Sequence, residues 1–201
     1  MLRRNLVAFA AALPLAAIAS QSFAQTGTAV PSQPAPAADA PNAGGAMGEA
    51  EMTHAQQTSM VGALSLMQSR LALQNAEHEQ VQAFAQFEVT EQETIADILA
   101  GIQAGAAEVS GQVTPPADAD LQAMIDENGQ ATLAELEGLT GAEFDAAYIA
   151  ANLDGHQQLL AIQEEYLATG TNREHVNVTK LARGMIIEHI AHLEALQAAM
   201  G

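Results

Sequence analysis

Cysteine is absent from this sequence, and that absence excludes disulfides, thiol chemistry, thiolate metal ligands and attachment of a lipid to a lipoprotein-type cysteine. Basic residues are almost as scarce. Six Lys and Arg face 24 Asp and Glu, for a formal charge of −18. Two of the six, Arg3 and Arg4, stand at the start of the chain, so everything after residue 24 carries a charge of −20. A surface of that sign repels nucleic acid and anionic lipid, because it offers no basic patch onto which either could release counterions. Aromatic residues make up only 3% of the chain, so a core would be made mostly of Leu, Ile, Met and Ala. Serines are scattered, with no Gly-x-Ser-x-Gly elbow and no Gly-rich phosphate loop, so no catalytic motif is present and an enzyme is not expected.

Residues 1–24 read as an export signal: Arg3 and Arg4, then an apolar stretch from Leu6 to Ala19, then Ser22-Phe23-Ala24 as a small-residue cleavage site. The apolar stretch is shorter than the roughly 20 residues of a membrane span and contains Pro14. Cleavage, with no membrane insertion afterwards and a periplasmic or secreted product, is the expectation. Residues 25–48 are rich in Ala, Pro and Gly without a period and read as a disordered tether.

From residue 49 to 201 alanine is abundant and apolar residues recur at three and four, which predicts helices. The first runs over about 49–75 with Met60, Leu64, Met67 and Leu71 on one stripe, and Asn75 is placed to cap the second, over about 76–104. A loop through Gly105, Gly111, Pro115 and Pro116 leads to a short helix over 117–137. Thr140-Gly-Ala-Glu143 and Thr171-Asn-Arg-Glu174 read as capping boxes opening two long helices, to about Ala168 and Met200. Four long helices and a short one in about 150 residues suit one up-and-down bundle.

The second helix carries the most informative pattern. Val81, Phe84, Glu88, Glu91, Ile95, Ile98 and Ile102 follow the spacing of a buried seam, apolar except for two glutamates. A carboxylate in such a stripe is costly unless a proton, a hydrogen-bond partner or a metal ion compensates it. In the last helix Thr179, Ala182, Ile186, His189, Leu193, Leu196 and Met200 form a seam with His189 at its middle and His192 one turn on. In the helix before it Phe144, Tyr148, Ala151, Gly155, Leu159, Ile162 and Tyr166 make a stripe with His156 on its flank, beside a glycine that would let a neighbour approach closely. Convergence of Glu88, Glu91, His156, His189 and His192 would make a site for a transition-metal ion, since carboxylate and imidazole ligands suit Zn, Fe, Mn and Cu. The competing expectation is a closed polar network that fixes the register of a structural protein, one that interacts with partners in the cell envelope. A di-iron centre of the bundle type needs Glu-x-x-His on two helices, and the one such motif, Glu51 to His54, lies at the start of the first helix. His54, His78 and His175 receive no role.

Residues 52–197 resemble the bacterial domain-of-unknown-function 4142 family. The resemblance rests on Phe84-Ala85 leading to Glu91-Gln92, on the stretch from Phe144 to Leu167 with its Phe144-Asp145-x-x-Tyr148 followed by His156, and on the stretch from Leu181 to Gln197. It implies an exported, ferritin-like helical bundle without an established activity. It also implies an Asp-His pair where this chain has Glu91-Gln92, a proline where it has Ile187, and a last-helix histidine that matches His192.

Overall fold

The computed structural model describes residues 47–105 and 110–200, so the expected signal peptide and residues 25–46 of the expected tether lie outside the described residues. These residues form six helices and no strand: α1 (Glu49–Asn75), α2 (Glu79–Gln103), α3 (Asp118–Met124), α4 (Glu127–Glu137), α5 (Gly141–Thr169) and α6 (Arg173–Met200). Four are long, as expected. The predicted short helix is two, because the backbone at Ile125 is extended and Asp126 caps a new start, its carboxylate accepting from the Gly129 amide at 2.8 Å. Among the described residues no helix is long and apolar enough to cross a membrane.

The predicted caps differ in detail. Asn75 ends α1, and α2 is capped by His78, whose Nδ1 accepts from the Gln80 amide at 3.2 Å. Thr140 precedes α5 but makes no side-chain capping bond; Gly141, at φ +61°, turns the chain there in a conformation suited to glycine. Asn172, one residue beyond the predicted Thr171, caps α6 by accepting from the His175 amide at 3.0 Å. Asn and Thr serve equally at such positions, so spacing alone does not choose between neighbours.

α1 packs against α2, α5, α3 and α4, and α6 packs against α5 and α2. The predicted stripe of α1, Met60, Leu64, Met67 and Leu71, is only half-buried. The row that faces inward is instead Glu51, His54, Thr58, Val61, Ser65, Gln68 and Ala72, an unbroken three-four spacing of mostly polar residues. With the adjacent Ser69 it meets α5 antiparallel: Ser69 with Tyr148 at 2.8 Å, Ser65 with Asn152 at 2.8 Å, Thr58 with Gln163 at 3.0 Å and Glu51 with Tyr166 at 2.9 Å. Each pair satisfies groups whose burial alone would be unfavourable. At the end of the bundle where α1 turns into α2, an apolar cluster of Val81, Phe84, Leu136, Phe144, Tyr148, Ile149, Leu193 and Leu196 closes the core. Arg70 ties the connection between α2 and α3 to α1, donating to Glu93 at 2.7 Å, to Asp118 and to the Pro116 carbonyl.

Candidate metal centre

Between the apolar end and the polar α1–α5 seam, α2 brings Glu88 to the middle of the molecule. The predicted seam of α2 holds through its first half: Val81, Phe84 and Glu88 have no solvent exposure. It loosens after that. Glu91 is half-buried, as are Ile95 and Ile102, and Ile98 is 37% exposed. Of the two glutamates only Glu88 is a core residue.

The Glu88 carboxylate has two different oxygens. Oε1 accepts from the Ser65 hydroxyl at 2.6 Å and from Gln92 Nε2 at 2.8 Å. Oε2 lies 2.8 Å from His189 Nδ1 and 3.3 Å from His156 Nε2, yet no well-directed hydrogen bond reaches it. The two ring nitrogens are 3.1 Å apart. Glu88, His156 and His189 thus place one ligand atom each within 4.8 Å of one another, all from buried side chains.

The surroundings fix the rings. His156 Nδ1 lies 2.7 Å from the Asn152 carbonyl, an acceptor, so Nδ1 carries the hydrogen and Nε2 turns its lone pair toward Glu88. His189 Nε2 lies 3.2 Å from Glu91 Oε2, which favours the hydrogen there and leaves Nδ1 facing the same point. The edge of the Phe84 ring packs 5.1 Å from His189 and 6.1 Å from His156, centroid to centroid. With these hydrogens placed, three acceptor atoms converge, an arrangement that needs a cation: one shared proton or a metal ion.

With no metal bound, the electrostatics favour a proton on His189 as that cation. Burial disfavours a charged Glu88, but the two imidazoles outweigh it and hold the carboxyl well below the usual carboxylate range. Burial likewise disfavours a charged His189, and the Glu88 and Glu91 carboxylates outweigh it, raising that ring to about 10. A cavity of about 20 Å³ adjoins the group, lined by Thr58, Glu91, Gln92, His156 and His189 among others. That is room for about one water molecule.

Of the five residues the sequence singled out, the structure gathers Glu88, His156 and His189, sets Glu91 against the outer nitrogen of His189, and leaves His192 exposed with its ring 5.5 Å from that of Phe84. His156 is a central member of the buried face of α5, with Asn152 and Leu159, where periodicity put it on the flank. Gly155 is not a point of close approach: a Cβ there would meet Val61 at an ordinary 3.8 Å. Ser65 and Asn152 were missed. They lie on the polar row of α1 and the buried face of α5, legible only if polar residues at three-four spacing are read as a seam.

A family model described as Domain of unknown function (DUF4142) matches residues 33–196. The chain belongs to the DUF4142 family. No curated protein is significantly similar to it. A crystal structure from Streptomyces coelicolor, described as "putative secreted protein DUF305", is similar in fold, with a TM-score of 0.61 over 76% of this chain and 94% of the other at 16% identity.

The segments behind the family resemblance acquire physical roles in this DUF4142 chain. Asp145 accepts from the backbone amides of Glu77 and His78 at 3.2 and 2.8 Å, pinning the α1–α2 turn to α5. Phe144 stacks on Tyr148, and Tyr148 bonds Ser69. Gln92, where the resemblance implies a histidine, hydrogen-bonds Glu88.

Proposed function

We propose that this DUF4142 protein is an exported, ferritin-like helical bundle that binds a divalent transition-metal ion through Glu88, His156 and His189, with no catalytic role assigned. The observation that carries the reading is the fully buried Glu88 Oε2, unpartnered by any directed hydrogen bond and flanked by two imidazole nitrogens. A triangle with sides of 2.8, 3.1 and 3.3 Å has its corners about 1.8 Å from its centre, so an ion about 2.0–2.2 Å from all three fits just off its plane. One carboxylate and two imidazoles suit Zn, Fe, Mn or Cu. The small cavity leaves room for water as a further ligand. Glu91 supports the site through His189 Nε2, and being half-buried it lies on the route by which an ion would enter.

A second reading is favoured by one observation: His189 lies between two carboxylates, Glu88 at 2.8 Å and Glu91 at 3.2 Å. As an imidazolium it would close the network with a proton, and the group would fix helix register in a structural or interaction protein of the envelope. Thermal melting separates the two. Untagged protein stripped with chelator is melted alone and with Zn, Fe, Mn or Cu. Binding at 100 times Kd adds about 2.7 kcal/mol, a rise of roughly 5–10 °C for a domain of this size. A protein purified empty, whose melting temperature ignores all four metals, would sink the metal reading.

A further inference from the structure

A second buried polar group lies at the other end of the α1–α5 seam, and its two histidines fall outside the segments that carry the family resemblance. It joins the first turns of α1 (Glu51, His54, Thr58), the last turns of α5 (Gln163, Tyr166) and the first turn of α6 (His175). His54 is 3% exposed and His175 is fully buried. His54 Nδ1 lies 2.8 Å from His175 Nε2, and His54 Nε2 lies 2.9 Å from Gln163 Oε1. Gln163 Nε2 in turn donates to Thr58 Oγ1 at 3.0 Å. Tyr166 packs against both rings, tilted to His54 at a centroid distance of 4.6 Å and edge-on to His175 at 4.8 Å, and donates to Glu51 at 2.9 Å. A Cβ at Gly170 would lie 2.4 Å from the Tyr166 ring, so the α5–α6 connection is shaped to seat it.

The hydrogens of this group follow from its acceptors. Gln163 Oε1 can only accept, so His54 Nε2 carries a hydrogen and the neutral ring offers Nδ1 as acceptor. His175 Nε2 therefore donates to it, and His175 Nδ1 is left as a buried lone pair with no hydrogen-bond partner. An additional proton has two places to go, and both are unfavourable. On His175 Nδ1 it makes a buried cation with no acceptor. On His54 Nδ1 it sets two N–H groups head to head across 2.8 Å and breaks the bond between α1 and α6.

We propose that the His54–His175 pair is an acid-operated latch: in its neutral form it ties the start of α1 to the α5–α6 turn, and taking up one proton releases that end of the bundle while the rest stays folded. The groups facing the pair are Glu51 and Thr58 from α1, Gln163 and Tyr166 from α5, and on each ring the other ring. Glu51 is the carboxylate that acts on both rings, and it favours their charged forms; burial prevails. Burial and then the neighbouring His175 bring His54 from 6.5 down to about 4, and burial lowers His175 too. A histidine lowered on folding binds its proton more readily in the released state. The latch is therefore closed above the ordinary histidine value and is lost as pH falls from about 6.5 toward 4.

Amide exchange followed by NMR, normalised at each pH to the intrinsic rate, tests this on the whole chain. Protection over residues 49–58 should fall about tenfold or more between roughly pH 7 and pH 4.5, while Val81 to Ala85 in the core stay protected. In the double variant H54Q/H175Q that fall should vanish, whatever the level at neutral pH. In Glu51→Gln it should persist and extend to lower pH, because the group that favours the charged rings in the closed state is gone. Should the double variant not fold, wild type and Glu51→Gln still decide. The proposal is overturned if wild-type protection over 49–58 is flat or is lost together with Val81 to Ala85. It is also overturned if the double variant keeps the transition, or if Glu51→Gln abolishes it and so makes the carboxylate the trigger.

Discussion

Replacing Asp145 tests whether the Phe-Asp-x-x-Tyr segment serves the fold or the candidate metal centre. Asp145 is 1% exposed, and its two oxygens accept from the Glu77 and His78 amides, the donors just before α2 begins. These are charge-assisted bonds at the positive end of a helix dipole, each worth about 1.5–3 kcal/mol when the acceptor is ionised. Asp145→Ala leaves both amides without that partner in a part-buried turn. Water can reach them in part, so the expected loss is about 3 kcal/mol rather than the full sum. Asp145→Asn keeps one acceptor oxygen but turns an amino group toward the other donor, for a loss of about 1–2 kcal/mol. Urea unfolding of chelator-treated protein should show the midpoint falling in the order wild type, Asn, Ala, with the slope unchanged. By heating, Asp145→Ala should melt roughly 6–12 °C lower. The folded variants should still respond to metal as wild type does. Stability of the Ala variant within about 0.5 kcal/mol of wild type would refute the structural role, and lost metal response in a folded Asn variant would give the residue a part in the centre.

Three further outcomes follow from the same geometry. Glu88→Gln should lower the stability of metal-free protein by about 2–4 kcal/mol in urea unfolding, less than a fixed ion pair would lose because His189 can shed its proton; it should also abolish any rise in melting temperature with metal. His192→Ala, at an exposed position outside the gathered group, should leave that rise unchanged. Gly155→Ala should raise stability by about 0.5–1 kcal/mol, since the new methyl meets only Val61 at 3.8 Å within an α-helix.

The residues show why some of this was legible in the sequence and some was not. The seam of α6 from Thr179 to Leu196 and the burial of Glu88 follow from periodicity, because apolar neighbours at the right spacing mark a face. Glu91 obeyed the same spacing but is half-buried, as are Ile95 and Ile102, and spacing carries no information about where along a helix its inner face meets solvent. On α1 the inward row is polar, so reading apolar residues selected a half-buried stripe; Ser65, Thr58 and His54 are core residues because α5 supplies partners at matching positions. His54 and His175 stand 121 residues apart and are joined at 2.8 Å, a pairing that only the antiparallel assembly of α1, α5 and α6 creates. Caps were predicted to within a few residues, and the break at Ile125 depends on backbone angles that no side-chain pattern announced.

The most direct measurement of the central claim is a crystal structure of untagged protein loaded with zinc, with anomalous scattering recorded above and below the zinc edge. The account predicts one strong peak about 2.0–2.2 Å from a Glu88 carboxylate oxygen, His156 Nε2 and His189 Nδ1, with Glu91 still bonded to His189 Nε2. It is contradicted if that position stays empty at saturating zinc while the three side chains keep their places, or if the ion sits instead on the exposed side chains of Glu188 and His192.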